Sequence, residues 1–264
     1  MDTKNVIAAI SLSAAVIILY SLFFAPAVVD QKDISNDKNI TSENSSTDAP
    51  SLVQDEETIK ISRNDALKEN ERVLFENDKI KGSISLIGSS IDDLTFKNYT
   101  NTLNGDDNVI LLNPKQSNNG YYVETGWATT SKNIDLPNSK SLWNIEGNNK
   151  LTPNSPVKLS WTNNQNIKFV KEISLDNQYL FNITQTIINN SDKTYNFYPY
   201  GQIIRNVAPD VTNFYILHEG LIGVFDDQLV EEDYDDIEEK KYSKNAKSGW
   251  LGITDKYWLT SLIP

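Results

Sequence analysis

The sequence predicts an all-β fold, a large antiparallel sandwich, preceded by a single N-terminal transmembrane helix. Apolar and polar residues alternate with a period of two in many short segments, which is typical of half-buried strands. Turn residues separate these segments at about every ten positions. Since no long helical periodicity lies between the predicted strands, a sandwich is favoured over a βαβ architecture.

The first element is an uncharged apolar stretch at residues 6–25. About twenty helical residues at ~1.5 Å rise cover ~30 Å, the thickness of a bilayer's hydrocarbon core. The alternative is a cleaved secretory signal, because Ala25-Pro26-Ala27 resembles a cleavage site, but signal h-regions have only ~7 to 15 apolar residues. We therefore predict an uncleaved membrane anchor over residues 1–29. Its membrane-facing residues include Val6, Ile10, Val16, Leu19, Tyr20, Phe23 and Phe24.

Residues 30–57 have few large apolar side chains and are rich in Asp, Ser, Asn, Thr and Glu. Such a segment cannot offset its own ordering entropy, so it is predicted to be a flexible linker. Large domains translocate largely regardless of charge, and we expect the part after this linker to lie outside the cytoplasm. Residues 62–71 are compatible with a helix, with Asn64 or Asp65 as a possible N-cap.

The predicted strands begin with Ile80, Gly82, Ile84 and Leu86, which alternate with polar residues. The same pattern recurs at residues 157–161. Apolar residues of one parity at 167–175, interrupted by Lys171, are followed by a turn at Asp176-Asn177 and a second run at 179–187. These two runs predict an antiparallel hairpin with Phe169 and Phe181 in the core. Further strands are predicted at residues 108–112, 120–129, 196–207, 214–217 and 221–225.

The composition excludes several kinds of chemistry. A formal net charge of -12 disfavours nucleic acid and anionic lipid as partners of the soluble part. With no cysteine, the chain has no disulfide, thiolate metal site or cysteine nucleophile. His218 is the single histidine, so we expect it to be a hydrogen-bonded structural residue. We predict no catalytic, cofactor or metal site.

Two further groups of residues have a functional and a structural interpretation. The acidic run at residues 231–239 could bind Ca²⁺, but it lacks the spacing of a calcium loop and is predicted to be a solvated, mobile loop. Tryptophans could line a sugar-binding cleft, although core positions are more usual in β-rich chains. They are Trp127, Trp143, Trp161, Trp250 and Trp258.

Two segments resemble the periplasmic domain of YidC-type membrane protein insertases. Residues 75–99 (FENDKIKGSISLIGSSIDDLTFKNY) resemble its first strands, most closely at 80–86 and 91–94. Residues 249–264 (GWLGITDKYWLTSLIP) resemble the segment before its last strands and the second transmembrane helix. Weaker similarity lies at 120–127 and 199–206. The order of helix, polar linker and domain also matches the proteobacterial members of this family.

The resemblance implies a twisted β-supersandwich, similar to galactose mutarotase, for residues from 58 onward. It implies an inner-membrane protein with this domain in the periplasm. The family's insertion groove lies in five later helices, so the chain is expected to be an N-terminal part of an insertase, with its last periplasmic strands also later. The implied activity is non-enzymatic: insertion, folding and assembly of nascent integral membrane proteins, alone or with the Sec translocon and its SecD and SecF subunits.

Two alternatives to the insertase remain. One is a membrane-tethered periplasmic carbohydrate-binding or carbohydrate-active protein, in which paired carboxylates and tryptophans meet in one cleft. The other is a structural ectodomain without a ligand. Within the insertase interpretation, Trp250, Leu251, Tyr257 and Trp258 are a candidate docking segment. The competing interpretation places these four residues in the core.

Overall fold

The computed structural model describes residues 60–209, 218–239 and 241–264. The predicted membrane anchor, the whole of the predicted linker and the strand predicted at 214–217 lie outside these residues. The described chain forms two short helices, α1 (Arg63–Ala66) and α2 (Tyr234–Glu239). Its strands are β1 (Arg72–Glu76), β2 (Ile80–Ser85), β3 (Ile91–Thr100), β4 (Asn108–Leu112), β5 (Tyr121–Thr129), β6 (Asn144–Glu146), β7 (Lys150–Leu151), β8 (Val157–Thr162), β9 (Ile167–Leu175), β10 (Phe181–Asn189), β11 (Phe197–Arg205), β12 (Gly220–Phe225), β13 (Gln228–Asp233), β14 (Gly249–Thr254) and β15 (Leu259–Leu262).

The strands form three sheets, which confirms the predicted all-β class. The largest has the order β11-β5-β3-β2-β1-β7, with β4 paired to β3. The second has the order β10-β9-β8-β6, and the third β13-β12-β14-β15. Pairing between these strands is antiparallel except for the short contact between β1 and β7, where Leu74 lies opposite Lys150 and Phe75 opposite Leu151.

The first two sheets face each other and enclose the main core. The Phe75 ring of β1 meets Phe181 of β10 edge to face at 5.0 Å between centroids. Trp127 of β5 lies 5.2 Å from Phe169 of β9. These contacts join inward-facing apolar residues of both sheets, the expected architecture of a sandwich.

The β9–β10 hairpin confirms the predicted strand pair and its turn. Phe181 lies opposite Leu175, and the register continues without a shift to Asn189 opposite Ile167. Asp176 Oδ1 accepts hydrogen bonds from the backbone N–H groups of Gln178 and Leu180 at 2.8 and 2.9 Å. The parity prediction holds fully for Phe169, which is completely buried. Phe181 is only half-buried, because β10 is the outermost strand of its sheet.

The prediction of a half-buried β2 with one polar, solvated face is wrong for its serines. Ser83 and Ser85 are both buried. The Ser83 hydroxyl accepts a hydrogen bond from Arg72 Nε at 2.7 Å and donates one to Asp93 at 2.6 Å. Arg72 also pairs with the buried Asp92. A polar layer therefore covers the face that the alternation alone assigned to water.

The ends of two short elements differ from the sequence prediction. The helix predicted within 62–71 is only α1, and its N-cap is Ser62, whose side chain accepts the N–H of Asp65. Asn64 and Asp65 lie inside the helix. The acidic run is not the predicted mobile loop, because residues up to Asp233 form β13 and the rest form α2. This strand forms because the preceding two-residue turn, Asp226-Asp227, has positive φ at both positions, the geometry of a tight hairpin.

Candidate functional site

The candidate docking segment lies in the third sheet. Trp250 and Leu251 belong to β14, and Tyr257 and Trp258 belong to the turn between β14 and β15. The Asp255 N–H donates to the Trp258 carbonyl at 2.8 Å, which closes this turn. The four residues therefore lie on one hairpin, but their side chains differ in packing and in exposure to solvent.

Trp258 packs against residues of another sheet. Its ring stacks on Phe96 of β3 at 4.3 Å between centroids and meets Tyr99 edge to face at 4.9 Å. Tyr179, from the β9–β10 turn, meets Phe96 at 5.9 Å. We call Phe96, Tyr99, Tyr179 and Trp258 the Trp258 cluster. This cluster supports the core interpretation for Trp258, since aromatic contacts of this kind stabilise packing beyond simple burial.

A charged network anchors the third sheet beside the cluster. Arg205 at the end of β11 donates to Asp255 Oδ1 at 2.6 Å and to the Tyr234 hydroxyl at 3.2 Å. Its guanidinium lies 4.7 Å from the centre of the Tyr121 ring. Burial raises the pKa of Tyr121 to about 12, and burial also raises the pKa of Tyr234. Both phenols therefore stay neutral hydrogen-bonding groups at physiological pH, and the network joins β5, β11, α2 and the β14–β15 turn.

The exposed part of the docking segment consists of Leu251 and Tyr257. Leu251 is 42% exposed and Tyr257 is 72% exposed. Trp250 is half-buried. Lys256 Nζ lies 5.1 Å from the centre of the Tyr257 ring, a cation–π contact at the surface. Docking by Leu251 and Tyr257 stays a prediction.

The main core contains a buried lysine that the sequence showed only as an interruption of strand parity. Lys171 of β9 is 1% exposed. Its Nζ donates to Ser89 Oγ at 2.5 Å and to the Thr125 carbonyl at 2.6 Å. The Trp143 ring centre lies 4.8 Å from the same nitrogen. Burial lowers the pKa of Lys171 to about 7, opposed by the charge of Glu124.

His218 has the structural environment that its flanking residues predicted. Its Nε2 lies 3.0 Å from the Leu221 carbonyl oxygen, and its Nδ1 lies 3.1 Å from Asp233 Oδ1. Within the described ranges, no group of three or more His, Asp or Glu side chains is arranged to hold a metal ion. The acidic strand β13 accordingly contributes a partner for His218.

The five tryptophans do not converge in one cleft, whereas the carbohydrate interpretation expects them to. Trp127 and Trp143 stack in the core with ring centroids 6.3 Å apart, while Trp250 and Trp258 belong to the β14–β15 hairpin. Trp161 borders a surface cavity of about 560 Å³. The cavity's lining residues include one carboxylate, Asp135, together with asparagines that make local hydrogen bonds. Paired carboxylates and converging tryptophans are therefore not found together there.

Comparison with known proteins assigns the chain to a family. The family model for the YidC periplasmic domain matches residues 72–264. The chain belongs to the YidC periplasmic domain family. This match begins at β1 and extends through β15, so it includes all three sheets.

Curated relatives of this YidC family chain are named "Membrane protein insertase YidC". The protein of Pelagibacter ubique is 55% identical over 267 residues, covering 100% of this chain and 47% of the relative. That of Cereibacter sphaeroides (strain ATCC 17029) is 33% identical, covering 100% of this chain and 44% of the relative. That of Rickettsia bellii is 42% identical, covering 73% and 35%. The chain spans about half the length of the curated relatives it matches, or less.

The two segments that carried the resemblance to YidC insertases lie in different sheets. Residues 75–99 run from β1 to β3, and residues 249–264 contain β14 and β15. The Trp258 cluster joins them, because Phe96 and Tyr99 come from the first segment and Trp258 from the second. The Arg205 network and the partners of Lys171 were not predicted, since no local pattern indicates contacts between residues 50 or 82 positions apart. Among the described helices of this YidC family chain, none has the length and hydropathy of a membrane span.

Proposed function

We propose that the chain is the N-terminal part of a membrane protein insertase and chaperone that inserts, folds and assembles integral inner-membrane proteins. The observation that carries this proposal is the family match over residues 72–264, together with curated relatives that bear the insertase name. The proposed activity is non-enzymatic. Placing a charge at the centre of a bilayer costs about 2.5–3.5 kcal/mol, and an insertase lowers this cost for the polar parts of its substrate.

The proposed domain organisation follows from the same family. Residues 1–29 anchor the chain in the inner membrane, residues 30–57 form a linker, and residues 58–264 belong to the periplasmic β-domain. The N-terminal helix contacts the lipid bilayer. In the full-length protein we expect the insertion groove to lie in later helices, so that the β-domain serves positioning and docking.

The proposed partners are nascent integral membrane proteins and the Sec translocon with SecD and SecF. Leu251 and Tyr257 support a docking role, because both are exposed apolar side chains on one hairpin. A photo-crosslinker at position 257 of the full-length protein is expected to capture a Sec accessory subunit. Only intramolecular products would show that the hairpin is covered by the protein's own chain.

The proposed function is tested by rescue of cells depleted of their own insertase. The full-length gene should restore growth, whereas residues 1–264 alone should reach the inner membrane without restoring it. Protease added to the periplasm should cleave the fragment's β-domain, which shows that the fragment is correctly located. Rescue by the fragment, or failure of a stably expressed full-length protein, would contradict the proposal.

A further inference from the structure

Among the strands that the structure describes, β10 is a sheet edge without the features that protect other edges from pairing. Its nine residues, FNITQTIIN, include no charged residue and no proline. Among the described residues, the terminal strands β6, β7 and β15 have only 3, 2 and 4 residues. β13 carries three acidic residues, and β11 contains Pro199 and Arg205. The branching strand β4 has 5 residues. A long uncharged edge is a template for pairing with another strand.

The edge of β10 that no described strand covers presents the backbone groups of alternate residues. At one end of the β9–β10 ladder, Asp176 N–H donates to the Leu180 carbonyl at 3.0 Å. At the other end, Asn190 N–H donates to the Asn166 carbonyl at 3.2 Å. Because the register is unbroken, hydrogen-bonded pairs alternate along it, and the even-numbered residues of β10 bond to β9. The N–H and C=O groups that point away from β9 belong to Phe181, Ile183, Gln185, Ile187 and Asn189.

The centre of β10 reads the same in both directions. Ile183-Thr184-Gln185-Thr186-Ile187 is a palindrome about Gln185. A second copy lying antiparallel on this edge places Ile183 opposite the partner's Ile187 and Thr184 opposite the partner's Thr186. Such apolar and threonine cross-strand pairs are favourable. The outward groups of the two Gln185 residues form a hydrogen-bonded pair on the two-fold axis, as an isologous contact requires.

We propose that β10 is a self-association surface, at which two copies of this chain pair edge to edge and join their four-stranded sheets. The proposal goes beyond insertion and does not depend on it. Exposed apolar side chains flank the palindrome, with Leu180 57% and Ile188 42% exposed. One strand pair buries less than the ~1,600 Å² of a standard interface, so the dimer is weak in solution. Tethering both copies to one membrane raises their effective concentration.

The absence of cysteine from the chain gives a sharp test. Thr184→Cys and Thr186→Cys are introduced separately, both at exposed positions of β10. In the proposed dimer, residue 184 lies opposite the partner's residue 186 with Cα atoms ~4.5 Å apart, within disulfide reach. Residue 184 lies farther from its own equivalent. Oxidation of the two variants mixed in membrane vesicles should yield at least about fivefold more disulfide dimer than either variant alone.

A charged variant provides the second measurement. Thr184→Lys with Thr186→Lys places like charges opposite each other in the dimer while both side chains stay exposed in the monomer. In sedimentation equilibrium of the full chain, the wild type should dimerise with concentration and this variant should stay monomeric. Three outcomes would overturn the proposal: equal disulfide yields from the mixture and the single variants, unchanged association of the lysine variant, or disulfides formed only with other proteins.

Discussion

Lys171 places an ionisable group in the apolar layer between two sheets. The folded protein holds the pKa of Lys171 at about 7, below its ordinary value of 10.5, because burial disfavours the ammonium. Between these two values the unfolded chain binds more protons than the folded chain. The free energy of unfolding must therefore rise as the pH increases from about 7 towards 10.5.

We expect Lys171→Met to remove this pH dependence. In the wild type, the contribution of Lys171 should rise by at most about 1.4 kcal/mol per pH unit over that window. The measurement is urea denaturation of both proteins at several pH values from 6 to 10. Lys168→Met is the matched control, because Lys168 pairs with Glu146 at the surface. Parallel pH curves for the wild type and Lys171→Met would contradict the prediction.

Phe169 and Phe181 should differ in their effect on stability. Phe169 is completely buried and contacts Trp127, Trp161 and Phe197, so Phe169→Ala should lower the free energy of unfolding by about 3–5 kcal/mol. Phe181→Ala should cost less, about 2 kcal/mol, because Phe181 is half-buried. Lys168→Ala should change the denaturation midpoint very little. Equal shifts for all three would mean that the side-chain orientations are wrong.

Strand parity predicted buried residues well where one face meets the main core. Phe169, Ile173 and Leu175 are all buried, as their alternation indicated. Alternation failed at Ser83, because its hydroxyl bonds to Arg72 and Asp93 on the two neighbouring strands. Alternation also gave no indication of the hydrogen-bond partner of Lys171 in the core, because Ser89 is 82 positions away. Hydrogen bonding permits burial of a polar group, and sequence periodicity carries no information about such partners.

In the β14–β15 hairpin, Trp258 is packed against another sheet, whereas the adjacent Tyr257 is exposed. Trp258→Ala should destabilise the domain by about 2–3 kcal/mol, because its ring stacks on Phe96. Tyr257→Ala should be neutral for stability, since Tyr257 is 72% exposed. Thermal denaturation of both variants distinguishes them. A destabilising Tyr257→Ala, or a neutral Trp258→Ala, would reverse the assignment of the two aromatic residues.

A buried charge pair links β1 to β3 across the intervening strand β2. Arg72 and Asp92 have side chains 8% and 4% exposed. Burial raises the pKa of Asp92 from 3.8 to about 6, while Arg72 opposes this shift. An Asp with a raised folded-state pKa contributes stability below pH 3.8 that is lost as the pH rises through 6. The guanidinium of Arg72 limits that loss.

Arg72→Met should therefore be more damaging at high pH. At pH 8 the variant leaves Asp92 ionised without its partner, and we expect a loss of about 3–5 kcal/mol. At pH 4.5 the Asp92 carboxyl is protonated, so the loss should be clearly smaller. Denaturant unfolding at the two pH values measures the difference. An equal loss of unfolding free energy at both pH values would contradict the prediction, because it would show that Arg72 does not stabilise the fold by pairing with the charge of Asp92.

The elements themselves were largely predictable, and their assembly was not. The β9–β10 hairpin followed from two runs of one parity around Asp176-Asn177. The acidic strand β13 was missed, because acidic residues have low strand propensity. Its residues pair with β12, which the Asp226-Asp227 turn brings alongside. The parallel contact of β1 with β7 was missed as well, since those strands are distant in sequence and local patterns do not specify partners of this kind.

For the whole molecule, the all-β class followed from periodicity, whereas the family followed from two short segments. Those segments, at 75–99 and 249–264, come together in space through the Trp258 cluster. Periodicity alone could not identify an insertase, because function depends on sites and partners that a sandwich does not specify. The division into three sheets also could not be predicted, since it depends on contacts such as that between Arg205 and Asp255.

We propose that this chain is the N-terminal part of an insertase whose membrane groove is encoded further along the same gene. Sequencing the gene beyond codon 264 in its native genome tests this proposal. We expect an open reading frame that first completes the β-domain and then encodes five hydrophobic spans. A stop codon soon after position 264, with no further hydrophobic span, would contradict the proposal.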